Sequence, residues 1–419
     1  MGLHSGAPIQ STRFFTIDGR TVSLVSKDDK PVLLRSEKAS GPKAVILASL
    51  VAISLSSPGI VRQVVAGSRT SSIDSAITWL VSHELSDGSY GFYSAPQTAS
   101  AANAMWIRSG NPLNVQHSYT WLSSQLENSS TWFWGGSNGL AEADVPGEVM
   151  YSLVTSQHLG EINLSIVGPR LLNLQQSNGG FLGYLDPRLN QQVTSSVDTA
   201  EALRGLIDAR AIKPSNQQSA INYLFSLQNS DGSFNLTRTV ASDALYSLGP
   251  ERISITALVL LVLKDASFTA SDPHVSSALH FLSLAASANF NGHVYAASLA
   301  TLAFTQFDRA SNATVAVNFI LSHQNSDGGF RDIARSSTGS NALDTGWAAV
   351  ALELGGLLGD TNLDGIVNIT DLSPVGASFG SVPGTSSWNP HADVDANGMI
   401  NIVDLVLVAN AFGKTADSL

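Results

Sequence analysis

The sequence predicts an all-α chain: an (α/α)6 toroid of six helical hairpins, then a small C-terminal domain of two loop–helix motifs. Three observations carry that expectation. A helix–turn–helix unit recurs along residues 72–356, its turn marked by Asp-Gly or Asn-Gly and closed by an aromatic residue. The first helix of each unit places apolar residues at i, i+3 and i+4, whereas the second is crowded with Ala, Ser and Gly. A different repeat, offset by 33 residues, fills the tail from Asp360 onward.

The bulk numbers set limits on function. With 43% hydrophobic and 13% charged residues, the 419-residue chain has the composition of a folded protein with a sizeable core. Its net charge of −11 argues against nucleic acid as a partner, because phosphate binding needs a basic face. There is no cysteine, so disulfides, thiolate metal sites, a cysteine nucleophile and an internal thioester are excluded.

The first element is an N-terminal segment, 1–67, set apart from the folded domains. Polar residues precede Lys43, which opens the apolar run "AVILASLVAISL" at 44–55, and "VVA" at 64–66 fits a small-x-small cleavage pattern. This is the layout of a secretory signal behind a long leader. The alternative is a membrane anchor over 44–61, the single route by which a membrane enters the expectations.

The toroid, 68–357, follows. Its first helices are expected at 75–83, 117–125, 169–176, 219–228, 277–285 and 316–324. The second helices are expected at 98–107, 145–154, 195–207, 253–263, 294–304 and 343–354. Closing aromatics stand at Tyr90, Trp132 or Trp134, Phe181, Phe234, Phe290 and Phe330, about one every 48 residues. Small residues let helix axes approach closely, so the second helices suit an inner ring and the first helices an outer one. The turns read Gln228-Asn-Ser-Asp231-Gly232-Ser-Phe234, Gln324-Asn-Ser-Asp327-Gly328-Gly-Phe330, Gln175-Gln-Ser-Asn178-Gly179-Gly-Phe181 and, more loosely, Asp87-Gly88-Ser-Tyr90. They resemble the Gln-Trp-type repeats of the prenyltransferase and squalene/terpene cyclase superfamily over about 72–356.

That resemblance implies chemistries whose residues can be sought. Zinc-dependent prenyl transfer and thioester domains need a cysteine, and squalene-type cyclases need an acidic DxDD motif; the chain has neither. Asp198 and Asp344 share one repeat position, just inside an inner helix, where an acid favours the helix N-terminus. The competing expectation makes Asp144, Glu148, Asp198, Glu201 and Asp344 a carboxylate cluster on the rim of a central cavity lined by Trp106, Tyr295 and Trp347. Paired carboxylates of this kind perform glycoside hydrolysis. Asp198, Asp344, Asp144 and Glu148 are the catalytic candidates.

The last domain, 358–419, carries metal chemistry. "DTNLDGIVNITD" (360–371) and "DVDANGMINIVD" (393–404) place oxygen-bearing residues at alternate positions of a loop that turns on a glycine. Calcium takes six to eight such oxygens. The expected ligands are Asp360, Asn362, Asp364, the Ile366 carbonyl, Asn368 and Asp371, with Asp393, Asp395, Asn397, the Met399 carbonyl, Asn401 and Asp404 around a second ion. Each loop runs into D-L-x-x-V-x-x-x-F-G, a short helix. Leu372, Val375 and Phe379 are expected to pack against Leu405, Val408 and Phe412, with Pro374 shortening the first helix. Two calcium loops, each followed by one helix, resemble the F-hand pair of a type I dockerin over 358–414. The resemblance implies a cohesin-like partner on a scaffold or surface protein, met by Ile369, Thr370, Ile402 and Val403 in place of the usual Ser-Thr pairs.

These readings combine into an exported calcium-binding protein, extracellular or at the cell surface, whose tail docks the toroid onto a cohesin-type partner. Two alternatives for the toroid remain open, a polysaccharide hydrolase or lyase and a terpenoid cyclase-like enzyme.

Overall fold

The computed structural model describes residues 12–17, 20–27 and 30–36. From 58 to 415 it describes all but 92–93, 110–114, 128–141, 157, 159, 161, 187–189, 239–249, 334–338, 363–365 and 396. The chain divides into two compact units, Met1–Ser68 and Arg69–Leu419. The first unit holds a three-stranded antiparallel meander, β1 (Thr12–Ile17), β2 (Arg20–Lys27) and β3 (Lys30–Ser36). This sheet departs from the all-α expectation. The apolar run at 44–55 lies outside the described residues, and no described helix is long and apolar enough to cross a membrane.

Among the described residues, twelve helices make six hairpins. The outer members are α1 (Pro58–His83), α3 (Gln116–Glu127), α5 (Leu164–Leu172), α7 (Pro214–Phe225), α9 (Pro273–Ser287) and α11 (Ala310–Ser322). The inner members are α2 (Ala95–Ser109), α4 (Asp144–Thr155), α6 (Ser196–Asp208), α8 (Pro250–Asp265), α10 (Val294–Gln306) and α12 (Ala342–Leu354). Each inner helix packs on the next, and α12 packs on α2, which closes the ring. Small residues set the spacing. A Cβ added at Gly147 of α4 would fall 2.3 Å from the Glu201 carbonyl of α6. A hairpin of β4 (Phe181–Asp186) and β5 (Gln191–Ser195) extends the turn before α6 and is the second local departure from an all-α chain.

One hydrogen-bond set holds the repeated turn. Gln228 Nε2 donates to the Gly232 carbonyl of its own turn and to the His274 carbonyl at the start of the next outer helix. Gln175 does the same to Gly179 and Asn216, and Gln324 to Gly328 and Ser72, so the last of these glutamines clasps the final repeat to the first. The amides of the buried aromatics Tyr90, Phe181, Phe234 and Phe330 each donate to a threonine hydroxyl on the following inner helix: Thr98, Thr199, Thr256 and Thr345. Trp132 and Trp134, expected to close another turn, lie outside the described residues.

The tail contains α13 (Ile369–Ala377) and α14 (Ile402–Asn410), which pack on one another. Val367 of the first loop pairs with Gly413 and Lys414 after α14, and Ile400 of the second loop pairs with Gly380 and Ser381 after α13. The two halves therefore interlock through equivalent backbone bonds. Val375 and Val408 are buried, with Leu372 and Leu405 packed beside them. Phe379 and Phe412, expected in that contact, are 53% and 50% exposed. They fall beyond the last helical turn, where the chain leaves the buried face. Pro374 does not shorten its helix, since both helices are nine residues long. It removes only the bond its amide would have given to the carbonyl four residues back.

This tail rests against the toroid. Its small core takes in Ala310 from α11. His391 Nε2 lies 3.2 Å from the buried Glu353 of α12, which Arg108 also approaches at 3.1 Å, and Lys414 pairs with Asp308 at 2.7 Å. Burial alone would raise the Glu353 pKa, but His391 and Arg108 override it and hold the carboxyl below its usual range.

Candidate functional site

Two places concentrate chemistry. The first is the second calcium-type loop. Asp393, Asp395 and Asp404 each bring one carboxylate oxygen to a spot where all three lie within 4.8 Å of one another. Local structure fixes them there. Gly398 takes φ 78°, the left-handed conformation a glycine adopts freely, and its amide donates to Asp393 at 2.8 Å. Asp404 is buried at the third position of α14, accepting from the Val394 amide at 2.7 Å and the Asn401 amide at 2.8 Å. Burial, then the Asp404 and Asp395 charges, push Asp393 up to about 7. Three crowded carboxylates with a glycine turn fit a hard divalent cation, which supplies the charge they lack. Met399 and Asn401 adjoin them, the Met399 carbonyl accepting from Asn401 Nδ2 at 2.9 Å.

The first loop repeats this framework. Asp371 accepts from Asn362 and Asn368 amides as Asp404 does from Asp395 and Asn401. Asp364 and Gly365 lie outside the described residues, so the geometry here rests on Asp360, Asn362, Ile366, Asn368 and Asp371. Asn368 and Asn401 are the N-caps of α13 and α14, each within a capping box. Past each cap the predicted partner residues project outward: Ile369 is 68% exposed, Ile402 62% and Val403 46%, with Thr370 exposed beside them.

The second place is a cavity of about 410 Å³ where the inner helices begin. Asp144, Glu148, Glu201, His293, Tyr295 and Asp332 give it its polar and aromatic wall, with Ile255, Leu258 and Leu299 on the apolar side. Asp332 accepts from the Tyr295 amide at 2.9 Å and lies 2.7 Å from His293 Nδ1. Trp347 Nε1 donates to Glu148 at 3.1 Å, and the indole itself, buried and stacked on Tyr151, does not line the cavity. Burial and then the Glu201 charge drive Glu148 well above the usual carboxylate range, and burial lifts Asp144 too. For Glu201 burial outweighs the opposing charge of Arg204 and pushes the group up to about 7.

Two catalytic candidates are placed elsewhere. Asp198 accepts from the Tyr184 amide and the Ser195 hydroxyl, and Asp344 from the Asp332 amide and Asn341 Nδ2. Both are buried and stand outside the cavity lining. Ser195 and Asn341 are the N-caps, so the aspartates do not cap their helices; they tie the preceding turn to the inner helix. Trp106 is buried against His158 and does not line the cavity. His293 and Asp332 were not singled out in the sequence, because a lone His and a lone Asp 39 residues apart carry no spacing signal.

Comparison with known proteins gives two family matches. Residues 153–331 match the A-macroglobulin TED domain and residues 358–413 the dockerin type I domain. No curated protein matches the chain in sequence. Among solved structures, a protein from Actinoplanes aligns with TM-score 0.50 at 15% identity, over 68% of this chain and 98% of its own. The type II terpene cyclase MstE from Scytonema aligns with TM-score 0.48 at 14% identity, over 68% of this chain and 98% of its own. These likenesses concern the fold. The chain is an α/α toroid followed by a type I dockerin domain, a class of domain that binds calcium and docks onto cohesins. Without cysteine the toroid has no thioester chemistry.

Proposed function

We propose that this is an exported adaptor: its tail binds two calcium ions and docks the toroid onto a cohesin-bearing scaffold or surface protein. The observation that carries the reading is the convergence of Asp393, Asp395 and Asp404 within 4.8 Å, beside a helix whose first turn presents Ile402 and Val403 to solvent. A core this small, drawing Ala310 from the toroid, gains its rigidity from metal. Calcium at the millimolar level found outside cells saturates loops of ordinary affinity. In the apo form the three carboxylates repel one another, and the ion converts that repulsion into attraction. The apolar Ile369 and Ile402 direct the tail toward a cohesin with an apolar complementary patch.

Calcium titration of the chelator-treated full chain by calorimetry tests the reading, with two ions expected per chain. In a binding screen against type I cohesins, Ile369→Asp with Ile402→Asp is expected to abolish capture and leave the calcium stoichiometry unchanged. One ion or none, or cohesin capture that survives the double substitution, refutes it.

A further inference from the structure

The cavity at the head of the inner helices has no part in docking, and its wall is chemically unbalanced. Glu201 is only 3% exposed, yet its Oε2 has no hydrogen-bond partner. An ionised oxygen left this way costs about 1–3 kcal/mol or more, so a native fold retains one where something else completes it. Asp144 and Glu148 line the same cavity. Of the nearby basic side chains, His293 is engaged by Asp332, and Arg204, whose charge acts on Glu201 along their shared helix, turns its guanidinium toward Asp265 and the Tyr151 ring in a separate cavity at the other end of the ring.

The missing partner is a positive charge, and the geometry narrows its kind. Among the described residues, the one cluster of metal-ligating side chains within mutual reach is Asp393, Asp395 and Asp404 in the tail. The cavity carboxylates do not converge on a point, so they do not make a cage for a bare ion. They are spread around a space of about 410 Å³, a size suited to a small organic molecule, whose other wall is Ile255, Leu258 and Leu299. Tyr295 adds an aromatic ring to the lining, and such a face attracts an organic cation. A primary ammonium needs one charged acceptor in direct contact, which Glu201 offers, while Glu148 and Asp144 act on it through their charge from elsewhere in the wall, and its alkyl body matches the apolar side.

We propose that the toroid cavity binds a primary alkylammonium ion, with Glu201 Oε2 as the principal acceptor and the Ile255, Leu258 and Leu299 wall taking the hydrocarbon. The charges facing Glu201 are Asp144 and Glu148 from α4, Arg204 from its own helix, and Asp265 from α8. The buried carboxyl holds part of a proton near neutrality, and the arriving ammonium displaces it into the buffer.

Calorimetric titration of the full chain in saturating calcium, with n-hexylammonium and with 1-hexanol as probes, tests this. The ammonium is expected to bind one to one, at least tenfold (about 1.4 kcal/mol) more tightly than the alcohol. Its heat should vary with the ionisation enthalpy of the buffer. Glu201→Gln is expected to cut ammonium affinity at least tenfold and leave the alcohol unchanged. Should that variant melt early, Glu148→Gln, which keeps an acceptor for Trp347, takes its place with the same expectation. Equal affinity for the two probes, or full ammonium affinity in a folded Glu201→Gln chain, overturns the proposal. Absence of binding overturns it as well and assigns the orphaned oxygen to a buried water.

Discussion

Glu84 occupies the position that Gln175, Gln228 and Gln324 hold in other repeats, and replacing it by glutamine is expected to stabilise the protein. The turn around it is otherwise equivalent. Gly88 has φ 89°, beside 91°, 89° and 90° at Gly179, Gly232 and Gly328, and a Cβ there would strike the neighbouring outer helix as at the other three. What differs is the side chain. Each glutamine amide donates to two carbonyls, whereas an ionised glutamate can only accept, and Glu84 Oε1 is buried with no partner. Restoring two donors at about 0.5–1.5 kcal/mol each, while removing an unpaired oxygen, gives an expected gain of about 1–3 kcal/mol. For a domain of this size that is a rise of about 2–6 °C in Tm.

The pH dependence follows from the direction of the shift. Burial raises the Glu84 pKa, with His117 opposing, so the folded state takes up a proton and the acid weakens the fold as pH rises past its unfolded value. The gain from Glu84→Gln should therefore be near its full size at about pH 7.5 and smaller at about pH 4, where the protonated acid supplies one donor of the two. Thermal unfolding of the full chain followed by far-UV circular dichroism at both pH values reads this directly. The reverse change, Gln228→Glu, should lower Tm by a comparable amount at the higher pH. A Glu84→Gln chain that is no more stable than the parent at neutral pH, or equally stabilised at both, refutes the reasoning.

Gly232→Ala is expected to cost at least about 3 kcal/mol or to prevent folding, since φ is 89° and the new Cβ would lie 2.1 Å from the Ser277 carbonyl; soluble yield and Tm measure it. Asp344→Asn should destabilise by about 1–3 kcal/mol through its contacts with Asp332 and Asn341 and leave alkylammonium binding unchanged in the folded fraction. Loss of binding at unchanged Tm would return Asp344 to the cavity wall.

The sequence alone determined what repeats. Gln-x-x-Asp-Gly-x-aromatic is legible because one physical problem, stopping an outer helix and starting an inner one, is solved with the same residues each time. The calcium loops are legible because ligand order along the chain is ligand order around the ion. Tertiary structure decided what depends on distant residues meeting. His293 and Asp332 join Asp144, Glu148 and Glu201 at one cavity because the ring brings α10 and the turn before α12 to it, and no spacing along the chain encodes that. The same holds for His391 on Glu353 and Lys414 on Asp308, which seat the tail against the toroid. Asp198 and Asp344 mark the limit from the other side. The sequence put an acid at the start of these two inner helices, and the fold then turned both carboxylates toward backbone amides of the preceding turn, because a buried amide without a partner costs more than a cavity gains from another charge.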